Sequence, residues 1–180
     1  YAVPWAVHLQ SGPWHRAGNA TRKCRTFDED NQELEELSRR IAVVLFNLGG
    51  PDSPEAIQPF LKNLFSDPAI LRMPGLFRWL LGNFIARSRA PVARELYDKI
   101  GGRSPIFENT EAQAVSLLHR LSEIHEDAEF ECFISMRYWT PMAAEVAKKV
   151  KAFNPDQIVL EPLYPQFSST TTASSFRSWD

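Results

Sequence analysis

The chain has 180 residues, 44% hydrophobic and 23% charged, the composition of one globular domain long enough to bury a core. Its 20 basic and 22 acidic side chains leave a net charge of −2, so no global field draws it to nucleic acid or to an anionic lipid surface, and any anion site must be local. The two cysteines, Cys24 and Cys132, lie far apart without C-x-x-C spacing; they encode neither a disulfide framework nor a thiolate zinc site and fit a reducing, cytosolic setting.

Residues 1–27 sustain neither a helical nor a strand period. Pro4-Trp5 and Pro13-Trp14 each precede a histidine, His8 and His15, but no cysteine or carboxylate stands at ligand spacing, and the stretch reads as a loose arm. It begins with Tyr1 and shows no basic-then-apolar leader, which points to a gene product that starts upstream. From Phe27 an acidic run follows, with carboxylates early and Arg39 and Arg40 late, the polarity that a short helix prefers. Arm and acidic helix together occupy residues 1–40.

The regular pattern then begins. Residues 41–46 are continuously apolar and rich in β-branched side chains, as in a strand covered on both faces. After Asn47, Leu48, Gly49 and Gly50, Ser53 is placed to cap a helix with Pro54 at its first position and a stripe of Ile57, Phe60, Leu61, Leu64 and Phe65. A second helix is expected over about 75–86, and Pro91 is expected to open a shorter one running towards Tyr97 and Ile100. The apolar stretch within it, GLFRWLLGNFIA, is too short to span a bilayer and carries Arg78. GGRSP at 101–105 is a loop; Thr110 and Gln113 then read as a capping box ahead of a stripe of Ala114, Leu117, Leu118, Leu121 and Ile124, with His119 and His125 on its flank. Residues 130–136 form a second strand, Thr140-Pro141 is expected to cap a helix with Ala143, Val146, Ala147 and Val150 inward, and QIVLEPL is a third strand. The final SSTTTASS has the hydroxyls of a helix start with little room for the helix itself.

Strands alternating with helices imply βαβ units in a doubly wound parallel sheet, one edge of which is expected to be truncated at three strands. In such sheets ligands bind beyond the carboxyl ends of the strands, here residues 47–50, 137–139 and 164–170. Gly49-Gly50-Pro51 is not G-x-G-x-x-G, and no G-x-x-x-x-G-K-[ST] occurs, so a phosphate cradle is not encoded; a glycine pair serving only a tight turn is the competing reading. Tyr138, Trp139, Tyr164 and Phe167 could line a flat apolar slot beside the planar, charged fork of Arg137, which suits a large flat ligand carrying carboxylates. Ordinary core packing at strand ends competes with that reading.

VVLFNLGGPDSP, ARSRAPVARELYDKIGGRSPI, SMRYWTP and LYPQFSSTTTASSF closely resemble, in order and spacing, four successive motifs of the ferrochelatase family, whose members insert ferrous iron into protoporphyrin IX to make protoheme. The resemblance covers residues 41–180. It implies a chelatase-like, Rossmann/flavodoxin-type fold of two similar α/β domains with the porphyrin between them, of which this chain supplies most of the first and lacks the second. Leu48 then faces the macrocycle; Arg89, Tyr97 and Ser104 contact porphyrin or its propionates; Arg137 and Tyr138 lie deep; and Tyr164, Ser168, Ser169 and Thr170 belong to the wall. Gly49 and Gly50 would let the first strand turn without a side chain blocking a planar ligand. Residues 76–85 match a lip at the pocket mouth, half-exposed and able to make peripheral membrane contact.

The family's proton-removing histidine and a further acidic residue lie beyond the matched motifs. None of His8, His15, His119 and His125 matches that histidine, so no catalytic residue and no metal ligand is assigned in this chain. The chain alone is expected to bind porphyrin weakly or not at all and not to insert iron. Ser169 stands where some relatives carry a cysteine of an iron–sulfur cluster; no cluster and no tightly bound cofactor is expected, only Fe2+ and protoporphyrin IX as substrates. A non-catalytic tetrapyrrole-binding module, or a chelatase for coproporphyrin or another tetrapyrrole, are the alternatives.

Overall fold

The computed structural model describes residues 39–179, so the expected arm with His8, His15 and Cys24 lies outside the described residues, as does the acidic run except for its last two positions. Those two, Arg39 and Arg40, do not close a helix; they open the first strand, β1 (Arg39–Asn47). Cross-chain partners explain the difference. The Arg40 backbone N–H donates to Asp156 Oδ2 at 2.9 Å, its Nε donates to Glu129 at 2.7 Å, and its guanidinium lies 4.2 Å over the Phe153 ring.

β1 pairs in parallel with β2 (Ala128–Met136) on one side and β3 (Gln157–Pro162) on the other, giving the order β2-β1-β3. The central strand contributes five consecutive buried residues, Ala42, Val43, Val44, Leu45 and Phe46, which is why its sequence is an unbroken apolar run. The helices are α1 (Ile57–Phe65), α2 (Gly75–Asp98), α3 (Ile106–Ile124), α4 (Ala143–Phe153) and α5 (Thr172–Trp179), with a 3-10 turn at Pro54–Ala56.

The two-residue period of the strand sorts the core into two layers. Ala42, Val44 and Phe46 pack with Phe133 against Val146, Val150 and Phe153 of α4 and against Phe176 and Trp179 of α5. Val43 and Leu45 face Ala114, Leu117 and Leu121 of α3. The β1-to-β2 and β2-to-β3 crossovers therefore lie on opposite faces, as right-handed crossovers running in opposite directions require. The order reverses at β1, so a topological switch point falls between β1 and β3. On the α3 side, Val159 and Leu163 border a groove of about 590 Å³ beside Leu117 and Leu121.

Four local expectations change. Pro91 does not break the chain into two helices: α2 runs through it, because the alanines, arginines and serine around it all tolerate helix and proline removes only one hydrogen bond. Thr110 is not a cap; it is fully buried one turn inside α3, where its Oγ1 donates to the Ile106 carbonyl at 2.7 Å and accepts from Asn47 Nδ2 at 3.0 Å. Ser104 instead accepts the first helical N–H, that of Ile106, at 3.4 Å. Thr140-Pro141, a cis peptide, does not cap α4, whose N-cap residue is Met142. The final hydroxyl run does build a helix, the eight residues of α5. Ser53 caps as its sequence indicates, accepting the Ala56 N–H at 3.3 Å.

Candidate functional site

The carboxyl ends of all three strands stay tied together past the regular ladder. Asn47 and Leu48 accept the backbone N–H groups of Arg137 and Tyr138 at 2.9 and 3.0 Å, and Phe46 accepts that of Leu163 at 2.9 Å. Asn47 also folds its Oδ1 back onto the Leu48 N–H at 2.8 Å. Gly49 has φ +82°, the left-handed region, and a Cβ there would sit 3.1 Å from the Trp139 nitrogen and 3.2 Å from Met136 Cβ. At Gly50 a Cβ would overlap the Ser104 side chain. Both glycines thus make room for neighbouring loops of the protein itself, as the tight-turn reading holds.

Three elements converge on one carboxylate. Asp67, just past α1, has a side chain only 2% exposed. Its Oδ2 accepts Arg137 Nη2 and the Tyr138 hydroxyl, each at 2.8 Å, and the Ser174 hydroxyl of α5; its Oδ1 accepts the Ala69 N–H at 2.7 Å. Arg137 Nε donates to Ser174 Oγ at 2.8 Å, and the Tyr138 hydroxyl lies 3.4 Å from the Thr170 carbonyl. Beside this cluster Tyr164 pairs its hydroxyl with Ser175 at 2.8 Å, and Ser168 Oγ meets Thr170 Oγ1 and Thr171 Oγ1 at 3.0 and 2.7 Å.

The electrostatics follow from this geometry. Burial pushes the Asp67 carboxyl up, but the hydrogen bonds from Ser174, Ala69 and Tyr138, with the Arg137 charge, outweigh it and hold the group below the usual carboxylate range. Burial, then the hydrogen bond to Asp67, drives the Tyr138 phenol far above its ordinary value. Burial also raises Tyr164 and Tyr97. Tyr138 is accordingly a hydrogen-bond donor and not a base, and Asp67 is a saturated anion.

Of the residues singled out in the sequence, Arg137, Tyr138, Tyr164, Ser168 and Thr170 lie in or beside this cluster; Ser169 is exposed, with its carbonyl accepting Arg177 Nη2 at 3.1 Å. Leu48 is half-buried at the tip of β1, and Ser104 packs on Gly50. Arg89 is exposed and Tyr97 half-buried, both on α2; among the described residues no hydrogen bond joins either to the cluster. A cavity of about 460 Å³ opens at the tips of β1 and β2, lined by Gly49, Gly50, Ser104, Phe107, Met136 and Trp139 with charged residues around them. Of Tyr138, Trp139, Tyr164 and Phe167, one alone belongs to its lining. Trp139 borders it, whereas Tyr138 is 1% exposed, Tyr164 packs on the α4 side of the core, and Phe167 is 60% exposed. Consecutive residues leaving a strand face opposite sides, so Tyr138 and Trp139 part company.

Asp67 and Ser174 are the site residues that sequence reasoning missed. The signal available was a lone carboxylate before proline in SDPAIL, and nothing local shows that its partner lies 70 residues on.

A family profile described as ferrochelatase matches residues 40–180. Curated ferrochelatases are similar over the same span: that of Pelagibacter ubique is 51% identical over 138 residues, covering 77% of this chain and 40% of that protein. The Phenylobacterium zucineum protein is 54% identical over 140 residues (78% and 41%), and the Rickettsia felis protein 45% identical over 143 residues (79% and 41%). The chain thus spans about 40% of the length of these relatives.

Proposed function

This chain belongs to the ferrochelatase family, and we propose that it is the porphyrin-binding N-terminal part of an enzyme that inserts Fe2+ into protoporphyrin IX to form protoheme, with residues 41–180 as its first α/β domain. The observation that carries the reading is the convergence of β1, β2 and the segment after β3 at the carboxyl edge of the sheet, where open α/β sheets hold their ligands.

In this reading Leu48 meets the macrocycle at the tip of β1. Arg89, exposed on α2, offers its planar fork to a propionate, and Tyr97 and Ser104 border the same ligand. Arg137 and Tyr138 form the deep end, and Tyr164, Ser168, Ser169 and Thr170 form the wall. Metal insertion requires removal of two pyrrole protons. Arg137 has no lone pair to accept one, the Tyr138 phenol stays protonated, and His119 and His125 are exposed on and after α3. In this reading the described residues contribute binding and geometry, and the proton acceptor is supplied from outside them. The first half of α2 exposes Leu76, Phe77, Trp79, Leu80 and Phe84, a surface suited to peripheral contact with a membrane at the mouth of the site. No helix among the described residues is long and apolar enough to cross one.

The test is an absorbance titration of the chain with protoporphyrin IX. Weak, saturable binding is expected, with Arg89→Ala lowering affinity by about tenfold, the scale of one charge-assisted contact. Of the two outcomes the sequence allows, weak binding is the one this reading requires, so no saturable change, or an unaffected Arg89→Ala variant, overturns it. With Fe2+ added, no turnover above the uncatalysed rate is expected; turnover would place a base within this chain.

A further inference from the structure

We propose that Asp67 is the positioning residue of the strand-end cluster: it orients the Arg137 guanidinium and cancels its charge, so that this wall offers hydrogen-bond donors without net charge. The inference rests on the porphyrin reading above and assigns a role to a residue that the sequence motifs pass over.

The geometry is asymmetric. The Asp67 side chain is 2% exposed and that of Arg137 22%, so the carboxylate lies beneath and the guanidinium above it. Arg137 spends Nε on Ser174 and Nη2 on Asp67, and its Cζ lies 4.9 Å from the Tyr138 ring centre. Among the described residues Nη1 makes no hydrogen bond, and its two N–H groups are left to donate. Asp67 receives four donors, Arg137, Tyr138 and Ser174 on Oδ2 and the Ala69 backbone on Oδ1, and its side chain is 2% exposed, so it is held by the protein itself and screened from a ligand. A side chain clamped in this way is pre-organised, and its charge is already matched.

The consequence is a division of labour between two arginines. Arg137, paired with Asp67, presents a neutral, donor-rich surface to the uncharged ring and does not repel an approaching divalent cation. Arg89, exposed and without an ion pair among the described residues, discriminates for the carboxylates. Asp67 is then what separates recognition of the ring from recognition of its propionates.

The test measures binding of protoporphyrin IX and of its dimethyl ester to the 180-residue chain, and reads the ratio of the two affinities. Arg89→Ala should lower the preference for the free acid. Asp67→Asn should raise it several-fold, because an unmatched cation now faces the ligand. If Asp67 only supports the fold, Asp67→Asn weakens both porphyrins alike and the ratio stays put, which overturns the proposal. Ser174→Ala retains the ion pair and serves if Asp67→Asn does not fold: both porphyrins should weaken together, and a change of ratio here would contradict the assignment.

A second readout needs no porphyrin. The Tyr138 phenol is faced by Asp67 after α1, by Arg137 on its own segment and by the Ser174 hydroxyl of α5. Tyrosinate absorbance, assigned with Tyr138→Phe, should show the Tyr138 midpoint falling in Asp67→Asn. An unmoved midpoint overturns the pairing itself. Failure of the wild-type chain to bind either porphyrin, with the midpoint moving as expected, overturns the porphyrin reading and with it the ligand-facing role, while the clamp stands.

Discussion

Asp67, the carboxylate of the strand-end cluster, lies only a short stretch of chain before the first half of α2, yet the two regions are built on opposite terms. Around Asp67 the carboxylate is saturated, its arginine is matched and a tyrosine hydroxyl is buried with its partner. On α2, Leu76, Phe77 and Phe84 are 63–69% exposed, and the helix meets its neighbour chiefly through small residues. Gly82 and Ala86 are its buried positions, and a Cβ at Gly82 would stand 3.1 Å from the Phe65 carbonyl oxygen at the end of α1. One region is closed by its own contacts and fixes geometry; the other leaves apolar surface over and can meet something outside the chain.

If that contrast is right, substitutions should separate the two regions by size of effect. The largest loss belongs to Asp67→Ala, which leaves Arg137 and the Tyr138 hydroxyl without their acceptor; about 3 kcal/mol of unfolding free energy is expected from urea denaturation. Next comes Gly82→Val, where backbone rather than a flexible side chain opposes the new atoms, at about 2 kcal/mol. Gly49→Ala should cost about 1 to 2 kcal/mol, since both its positive φ and its approach to Trp139 resist a Cβ.

The pH dependence isolates the carboxylate. Asp67 titrates lower in the folded chain than in the unfolded one, so its contribution is complete above the unfolded value and fades as pH falls through the folded one. The wild-type chain should lose stability more steeply under acid than Asp67→Asn, and parallel slopes in urea midpoint against pH would refute a depressed Asp67. The smallest effect on stability is expected from Phe77→Ser and Phe84→Ser, within about 0.5 kcal/mol, although sedimentation with anionic vesicles should fall in the same variants.

The strands and helix stripes could be read from the sequence because each is written in local signals: the unbroken run of β1, the Ser53 cap, and the stripe of α3 up to Leu121, beyond which Ile124 at the helix end is 55% exposed and not buried as its spacing indicates. Three other readings failed for reasons that no local period carries. Thr110 looks like a cap from its neighbours, yet Asn47, 63 residues earlier, holds it inside a helix. Arg39 and Arg40 fit a helix end by charge, but Asp156 and Glu129 draw Arg40 into the sheet. Tyr138 and Trp139 are adjacent letters that the pleat sends to different surroundings. The four ferrochelatase-like motifs located the strand ends; only the fold could reveal that Asp67 and Ser174 complete them.

Amide hydrogen exchange of the chain with and without protoporphyrin IX addresses the strand-end wall most directly. Slower exchange confined to residues 47–50, 137–139 and 164–171 is expected on adding porphyrin. Protection that instead maps to the groove between α3 and β3, or no protection at any of the three tips, would contradict it.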